Sequence, residues 1–318
     1  MIREIGRAKV NLALDIVGQR DDGYHLVRMV MHSVGIEDVL EISLTENEGE
    51  ILLEPKTDLP EDDAKEAGTE EANKAPLSYG EDNLIVKAGR LLFREAEKRG
   101  GEAAEKLRGK GVHIFLEKNI PIQAGMAGGS TDCAAALRGI NRILELDFTE
   151  DELCTFGAML GADVPFCIKG GTALSEGIGE ILTPLPSLPE SVMLIAKPTA
   201  GISTPAAYKG YDELMKKAEA GELPFPKRPD LEGMIQSLRE GNLQGVAGAM
   251  GNVLEPVTSP LCPEIAKLEE EMLAAGAIGA QMSGSGPTVF GIFANAEDAW
   301  KTAEKLSEMN LAESIFVV

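Results

Sequence analysis

Apolar and polar positions alternate from the start of the chain. Across residues 3–17, Val10, Leu12 and Leu14 fall on one face of an extended strand, and Lys9, Asn11 and Ala13 on the other. A second β-rich stretch follows at Val27–Leu44. The pattern then stops. Residues 46–75 are rich in Glu, Asp, Lys and Ala with little apolar periodicity, and read as a solvated acidic surface insertion. Periodicity resumes with a helix capped by Asp82 or a neighbour, running to about Arg99 and stopped by Gly100. Val112–Glu117 reads as a strand, and a helix is expected from about Thr131 to Leu144. Thr149 and Glu152 have the spacing of a capping box for a further short helix. Gly170–Leu185 reads as strand, turn and strand.

Prolines at 184, 186 and 189 break the composition and suggest two domains, 1–185 and 186–318. The second opens with a strand at Val192–Ala196 and a helix with Thr204 as N-cap and Pro205 at its first position. Helices are expected near Leu231–Glu240, Pro263–Ala275 and Ala296–Met309. Met282–Phe293 begins as a glycine turn and ends as a strand, and Ile315–Val318 is a last strand. Strands and helices come in mixed order rather than in regular βαβ alternation, so the fold class is α+β with two domains.

Composition narrows the function classes. Hydrophobic content of 44% and charged content of 26% are those of a globular protein. No stretch approaches the roughly 20 apolar residues that span a bilayer. The opening MIREIGRAKVNLALD lacks the layout of a signal peptide. A cytoplasmic protein is expected. The net charge of −22 argues against nucleic acid and anionic membrane as partners. It leaves room for a nucleotide, which a few lysines, backbone N–H groups and a metal can hold. Oligomeric state is not readable from the sequence. Cys133, Cys154, Cys167 and Cys262 are scattered without a C-x-x-C pair and read as buried free thiols.

The strongest chemical signal is IPIQAGMAGGSTDCAAAL, residues 120–137, where a strand, a glycine-rich loop and an alanine-rich helix follow one another. Glycines 125, 128 and 129 are expected to take positive φ and let the backbone approach a ligand. The helix start adds unpaired N–H groups and the positive end of its dipole, so the segment is an anion site. Ser130 and Thr131 add hydroxyls suited to a phosphate oxygen or Mg²⁺, with Ser130 the one named metal candidate. Walker A is excluded because no Lys follows the glycines. The Rossmann spacing is not met either. Taken alone, the segment could also be a glycine turn ending in an ordinary cap. Three further segments add weight: AKVNLALDIVGQRDDGYH at 8–25, GADVPF at 161–166 and MSGSGPTVFGIF at 282–293.

In order and spacing, the lysine strand, the 120–131 loop and the late GSG turn resemble the three motifs of the GHMP kinase superfamily. LGADVPF, ALSEGIGEILTPL, STPAAYKGYDEL and LEPVTSPLCPEI extend the resemblance over nearly the whole chain except the acidic insertion. The resemblance implies an N-terminal domain like ribosomal protein S5 domain 2 and a ferredoxin-like C-terminal domain. It points to the branch that uses ATP, with Mg²⁺, to phosphorylate the 2-hydroxyl of a cytidine-diphosphate-linked methylerythritol in the non-mevalonate isoprenoid route. By that resemblance Asp163 is the catalytic base and Lys9 the catalytic lysine. Pro121, Ile122, Gln123, Ala124, Gly125, Met126, Ala127, Gly128, Gly129, Ser130 and Thr131 surround ATP. Lys118 matches a nucleotide-contacting lysine, its alternative being an exposed charge at a strand end. Tyr24 and Tyr208 match the aromatics that sandwich cytosine, and His25 the residue on the edge of the base. Asn11 and Thr204 match substrate contacts. Gln123, Ala124 and Ala127 stand where many relatives have glycine, and Gln123 is the larger intrusion. Other GHMP activities, on homoserine, mevalonate or a sugar, are the nearest alternatives. A silent nucleotide-binding regulator is the alternative from another class.

Overall fold

The computed structural model describes residues 1–56 and 77–318. Among these the strands are β1 (Ile2–Gln19), β2 (His25–Thr45), β3 (Ile51–Pro55), β4 (Gly111–Glu117), β5 (Thr172–Glu176), β6 (Ile181–Leu185), β7 (Val192–Lys197), β8 (Gly251–Asn252), β9 (Gly279–Met282), β10 (Val289–Phe293) and β11 (Ser314–Val317). The helices are α1 (Leu84–Arg99), α2 (Gly101–Leu107), α3 (Gly128–Ile143), α4 (Glu150–Ala158), α5 (Val164–Lys169), α6 (Thr204–Glu219), α7 (Leu231–Glu240), α8 (Leu243–Ala249), α9 (Glu255–Thr258), α10 (Glu264–Ala274) and α11 (Ala296–Glu308). The chain runs through two compact units more than once. Met1–Gly6, Glu37–Asn119 and Gly129–Ile168 form the first, and Arg7–Ile36, Ile120–Gly128 and Lys169–Val318 the second.

In the first unit β4 is central. It pairs antiparallel with β2 from Val39↔Glu117 to Thr45↔Gly111, and parallel with β3 from Ile51↔Val112 to Pro55↔Leu116. The expected acidic insertion at 46–75 is therefore corrected over its first part. Ile51 and Leu53 are buried while Leu52 and Glu54 are exposed, which is the alternation of a half-covered strand. An apolar run of three residues among charges was too short to register as a strand. Residues 57–76 lie outside the described residues.

Helix ends in this unit follow local chemistry. Asn83, the neighbour of Asp82, caps α1 by accepting from the N–H of Ile85 at 2.8 Å, and Gly100 stops the helix at φ 68°. At α4 the capping box is present: Thr149 accepts from the N–H of Glu152 and the Glu152 carboxylate accepts from the N–H of Thr149. The core gathers Leu40, Ile42, Leu92, Ile114, Leu137 and Ile140. α3 lies close on it, since a Cβ added to Gly139 would come 2.4 Å from Cδ1 of Ile42 and 2.8 Å from Cγ of Glu4.

In the second unit β2 pairs with β5 from Met29↔Ser175 to His32↔Thr172, and β5 pairs with β6. β1 pairs parallel with β8 at Ala13↔Gly251. A separate antiparallel sheet runs β11-β7-β10-β9. Val10, Leu12, Val30, Leu238, Ile195 and Phe290 share the core. β1 departs from simple alternation. Every residue from Ala8 to Ile16 is buried, Lys9, Asn11 and Asp15 included. Buried polar groups must find partners inside the protein, and those partners define the site described next.

The four cysteines are outside any disulfide, as expected, but only Cys133 and Cys262 are buried, while Cys154 and Cys167 are half-buried. Gly139→Ala tests the close seating of α3. The added methyl has no space without moving Ile42, so a loss of about 1–3 kcal/mol in urea unfolding is expected. Unchanged stability would show that α3 is not held there.

Candidate active site

The second unit brings three of the sequence motifs to one hydroxyl. Oγ of Ser283, in the GSG turn, accepts from the backbone N–H of Asn11 at 3.2 Å and donates to the carbonyl of Gly125 at 3.2 Å. The N-terminal strand, the glycine loop and the late turn are thus pinned at one atom. The backbone N–H of Lys9 donates to the carbonyl of Met126 at 3.2 Å, a second tie between strand and loop. Lys9 is buried, and its ammonium donates to Oδ1 of Asn11 at 2.5 Å. Asn252 supports the turn from below by donating to the carbonyls of Met282 and Gly284 at 3.0 and 2.8 Å.

The loop makes its turns differently from expectation. Positive φ falls at Gln123 (53°), Gly125 (74°) and Ala127 (59°), and not at Gly128 or Gly129. Those two glycines begin α3 three residues earlier than expected, and with Ser130 and Thr131 they form its first turn. Four N–H groups there lack partners within the helix. Gly125 is the position that tolerates no side chain, because a Cβ would lie 2.3 Å from the carbonyl oxygen of Ser283. Gln123 and Ala127 hold a left-handed backbone without being glycine, at about 1–2 kcal/mol each. The Gln123 side chain extends to Gly201, where an added Cβ would meet its Oε1 at 2.8 Å.

Thr204 does not cap α6. Ser203 holds the cap position without a side-chain hydrogen bond, and the Thr204 hydroxyl is 2.9 Å from that of Ser285 in the GSG turn. Farther along α6, Tyr208, Tyr211 and Asp212 share one helical face. All three meet His25. Its ring centroid is 5.0 Å from that of Tyr208 at a 39° tilt, and 6.4 Å from that of Tyr211, edge-on at 83°. Its Nε2 is 2.7 Å from Oδ1 of Asp212. Tyr211 is buried, whereas Tyr24, beside His25 in sequence, is 61% exposed. His25 and Tyr208 are therefore brought together, and Asp212 is a residue the sequence reading missed.

Further residues singled out in the sequence belong to the first unit. Ser130 is half-buried, with Oγ 3.6 Å from where a Cβ on Gly161 would sit, so it lies beside the Gly161–Asp163 segment. Thr131 is fully buried, which removes its hydroxyl from solvent. Asp163 directly precedes α5, and its carbonyl accepts from the N–H of Cys167 at 3.0 Å. Arg138 of α3 anchors this region by donating to the carbonyls of Cys167 (3.0 Å) and Ile5 (2.7 Å).

Lys118 is not an exposed strand-end charge. Its ammonium donates to Oδ2 of Asp132 at 2.6 Å and to Asp38, both buried. The backbone N–H of Asn119 donates to the other Asp38 oxygen at 2.6 Å. Burial acts to lower the Lys118 pKa, but the charges of Asp132 and Asp38 outweigh it and hold it above the usual lysine range. One ammonium cannot neutralise two buried carboxylates. Burial accordingly pushes the Asp132 carboxyl up to about 8, against the pull of Lys118.

Comparison with known proteins places this arrangement in a class. The model of the GHMP kinases N terminal domain matches residues 83–171, and that of GHMP kinases C terminal matches 234–310. The fold is that of a GHMP kinase. The chain is 41% identical over 299 residues to the 4-diphosphocytidyl-2-C-methyl-D-erythritol kinase of Caldicellulosiruptor bescii, covering 94% of this chain and 92% of that one. It is 40% identical over 315 residues to the protein of the same name from Lachnospira eligens, covering 99% and 96%. A crystal structure of 4-(cytidine 5'-diphospho)-2C-methyl-D-erythritol kinase superposes with a TM-score of 0.73 at 27% identity, covering 99% of this chain and 98% of that one. The chain belongs to the 4-diphosphocytidyl-2-C-methyl-D-erythritol kinase family within the GHMP kinases.

Gly125→Ala is the sharpest probe of the junction. It forces a methyl against the Ser283 carbonyl and a non-glycine residue into φ 74°. A loss of about 1–3 kcal/mol is expected in denaturant unfolding. Full retention of stability would mean the loop is not seated on the GSG turn.

Proposed function

We propose that this protein transfers the γ-phosphate of ATP to the 2-hydroxyl of 4-diphosphocytidyl-2-C-methyl-D-erythritol, giving the 2-phosphate and ADP. The reaction would be a step of the non-mevalonate route to isoprenoid precursors. The observation that carries the reading is the convergence of the Lys9–Asn11 strand, the Gly125 loop and the Ser283 turn on one hydroxyl. Identity of about 40% to kinases of that name along almost the full chain supports the choice of substrate.

Phosphoryl transfer needs alignment and charge stabilisation more than covalent help. Residues 121–131 would wrap the ATP phosphates, the first turn of α3 supplying N–H donors to their oxygens. Asp163 would accept the proton of the substrate hydroxyl as the bond to phosphorus forms. Lys9, whose ammonium is buried and oriented by Asn11, would offset the charge developing on the transferring group. Lys118 would contact the nucleotide from the end of β4, its place set by Asp38 and Asp132. Tyr24 and Tyr208 would stack on cytosine while His25 meets the base edge, and Asn11 and Thr204 would touch the remainder of the substrate.

Mg²⁺ is part of the proposal. Ser130 offers a neutral oxygen at the start of α3, which fits an ion that takes most of its ligands from water and phosphate. The ion would neutralise charge on the phosphates. The division near residue 185 is retained as a proposal, supported by the two matched family models lying on either side of it. A cytoplasmic setting is proposed as well, in keeping with four free thiols. Among the described residues no helix is long and apolar enough to cross a membrane.

Lys9→Ala and Asp163→Ala test the assigned chemistry. Each is expected to reduce kcat at least about a hundredfold, while circular dichroism and the unfolding midpoint show a folded protein. Near-normal kcat in either folded variant would remove that residue from the mechanism.

A further inference from the structure

The cytidine-facing cluster contains one group with no assigned part. Asp212 sits four residues after Tyr208 on α6, and its carboxylate is 2.7 Å from Nε2 of His25. A carboxylate only accepts hydrogen bonds, so the proton of this pair resides on Nε2. In the neutral imidazole the other nitrogen, Nδ1, is then a bare acceptor. Among the described residues Nδ1 has no hydrogen-bond partner, while Tyr208 and Tyr211 fix the ring plane from two sides. The His25 side chain is only 12% exposed, so the orientation is held by its neighbours and not by solvent.

We propose that Asp212 is a positioning residue that sets cytidine against uridine selectivity by holding His25 as a hydrogen-bond acceptor toward the base. This rests on the reading above that His25 meets the edge of the base. Cytosine and uracil have the same shape and stack equally well, so aromatic rings cannot tell them apart. They differ at N3, an acceptor in cytosine and a donor in uracil, and at position 4, where cytosine carries an amino donor and uracil a carbonyl acceptor; the contact proposed for His25 is with position 4. An imidazole whose free nitrogen is an acceptor pairs with the amino group. Against the carbonyl it sets two lone pairs facing each other, which is rejection by a repulsive contact. Without Asp212 the ring can place its proton on either nitrogen, and the Nδ1–H form would accept uracil. Asp212 needs no contact with the substrate for this effect. Its carboxylate is 37% exposed, so its removal leaves no large buried hole.

The experiment compares Asp212→Ala with the unaltered protein at pH 8, using CDP and UDP as binding probes in calorimetry. Two-dimensional ¹⁵N–¹H spectra of ¹⁵N-histidine-labelled protein read the His25 tautomer, and kcat is measured at saturating cytidine substrate. The unaltered protein is expected to prefer CDP to UDP by at least about tenfold and to show the Nε2–H tautomer. In Asp212→Ala the preference should fall by about tenfold, about 1.4 kcal/mol, with mixed tautomers and kcat within about twofold. If the unaltered protein prefers CDP and Asp212→Ala keeps that preference in full, the role of Asp212 is overturned while the cytidine reading stands. If the unaltered protein does not distinguish CDP from UDP, the reading of His25 falls and this inference falls with it.

Discussion

The hydroxyl of Ser283 is the contact on which the arrangement depends. It accepts from Asn11 on β1 and donates to Gly125 in the loop, so one side chain fixes the relation of three segments far apart in sequence. The geometry demands that Gly125 carry no side chain, because its Cα lies against the Ser283 carbonyl. It also demands that the turn itself be rigid, which Asn252 secures through two backbone carbonyls. A loop that binds phosphate by backbone N–H groups works only if those groups are already oriented, since reorganisation would consume the binding energy. Strain at Gln123 and Ala127 fits this account: the loop keeps a left-handed backbone without the residue that adopts it most easily.

Burial of charge is the second constraint. β1 is covered on both faces through its middle, so Lys9 and Asn11 satisfy one another in the interior. At the end of β4, Lys118 is shared between Asp38 and Asp132. The Lys118 cluster is expensive to bury and strongly destabilising when one partner is removed. In return its members stand in defined positions, which long lysine side chains on a surface do not.

How far the sequence disclosed this depends on the range of each interaction. Local chemistry was legible: the Thr149–Glu152 capping box, the Gly100 stop and the strand–turn–strand of β5 and β6 follow from adjacent residues. The start of α3 was misplaced because Gly128 and Gly129 are poor helix formers that tertiary context nonetheless holds in the first turn. β3 was hidden by its charged surroundings, its identity coming from pairing with β4. α2 and α8, seven residues each, were too short to show a period. Thr204 looked like a cap because its hydroxyl precedes Pro205, yet its partner is Ser285. Lys118 finds Asp38 eighty residues earlier in the chain, a pairing no local pattern contains. Asp212 is an intermediate case. Its spacing from Tyr208 places both on one face, but its partner His25 belongs to a distant strand.

The central claim is that this junction serves phosphoryl transfer to a cytidine-diphosphate-linked alcohol. ADP formation from ATP, followed in a coupled assay with 4-diphosphocytidyl-2-C-methyl-D-erythritol, homoserine or mevalonate as acceptor, tests it most directly. ADP release is expected to be strongly stimulated by the cytidine compound and not by the other two. Rapid turnover with homoserine or mevalonate, and none with the cytidine compound, would contradict it.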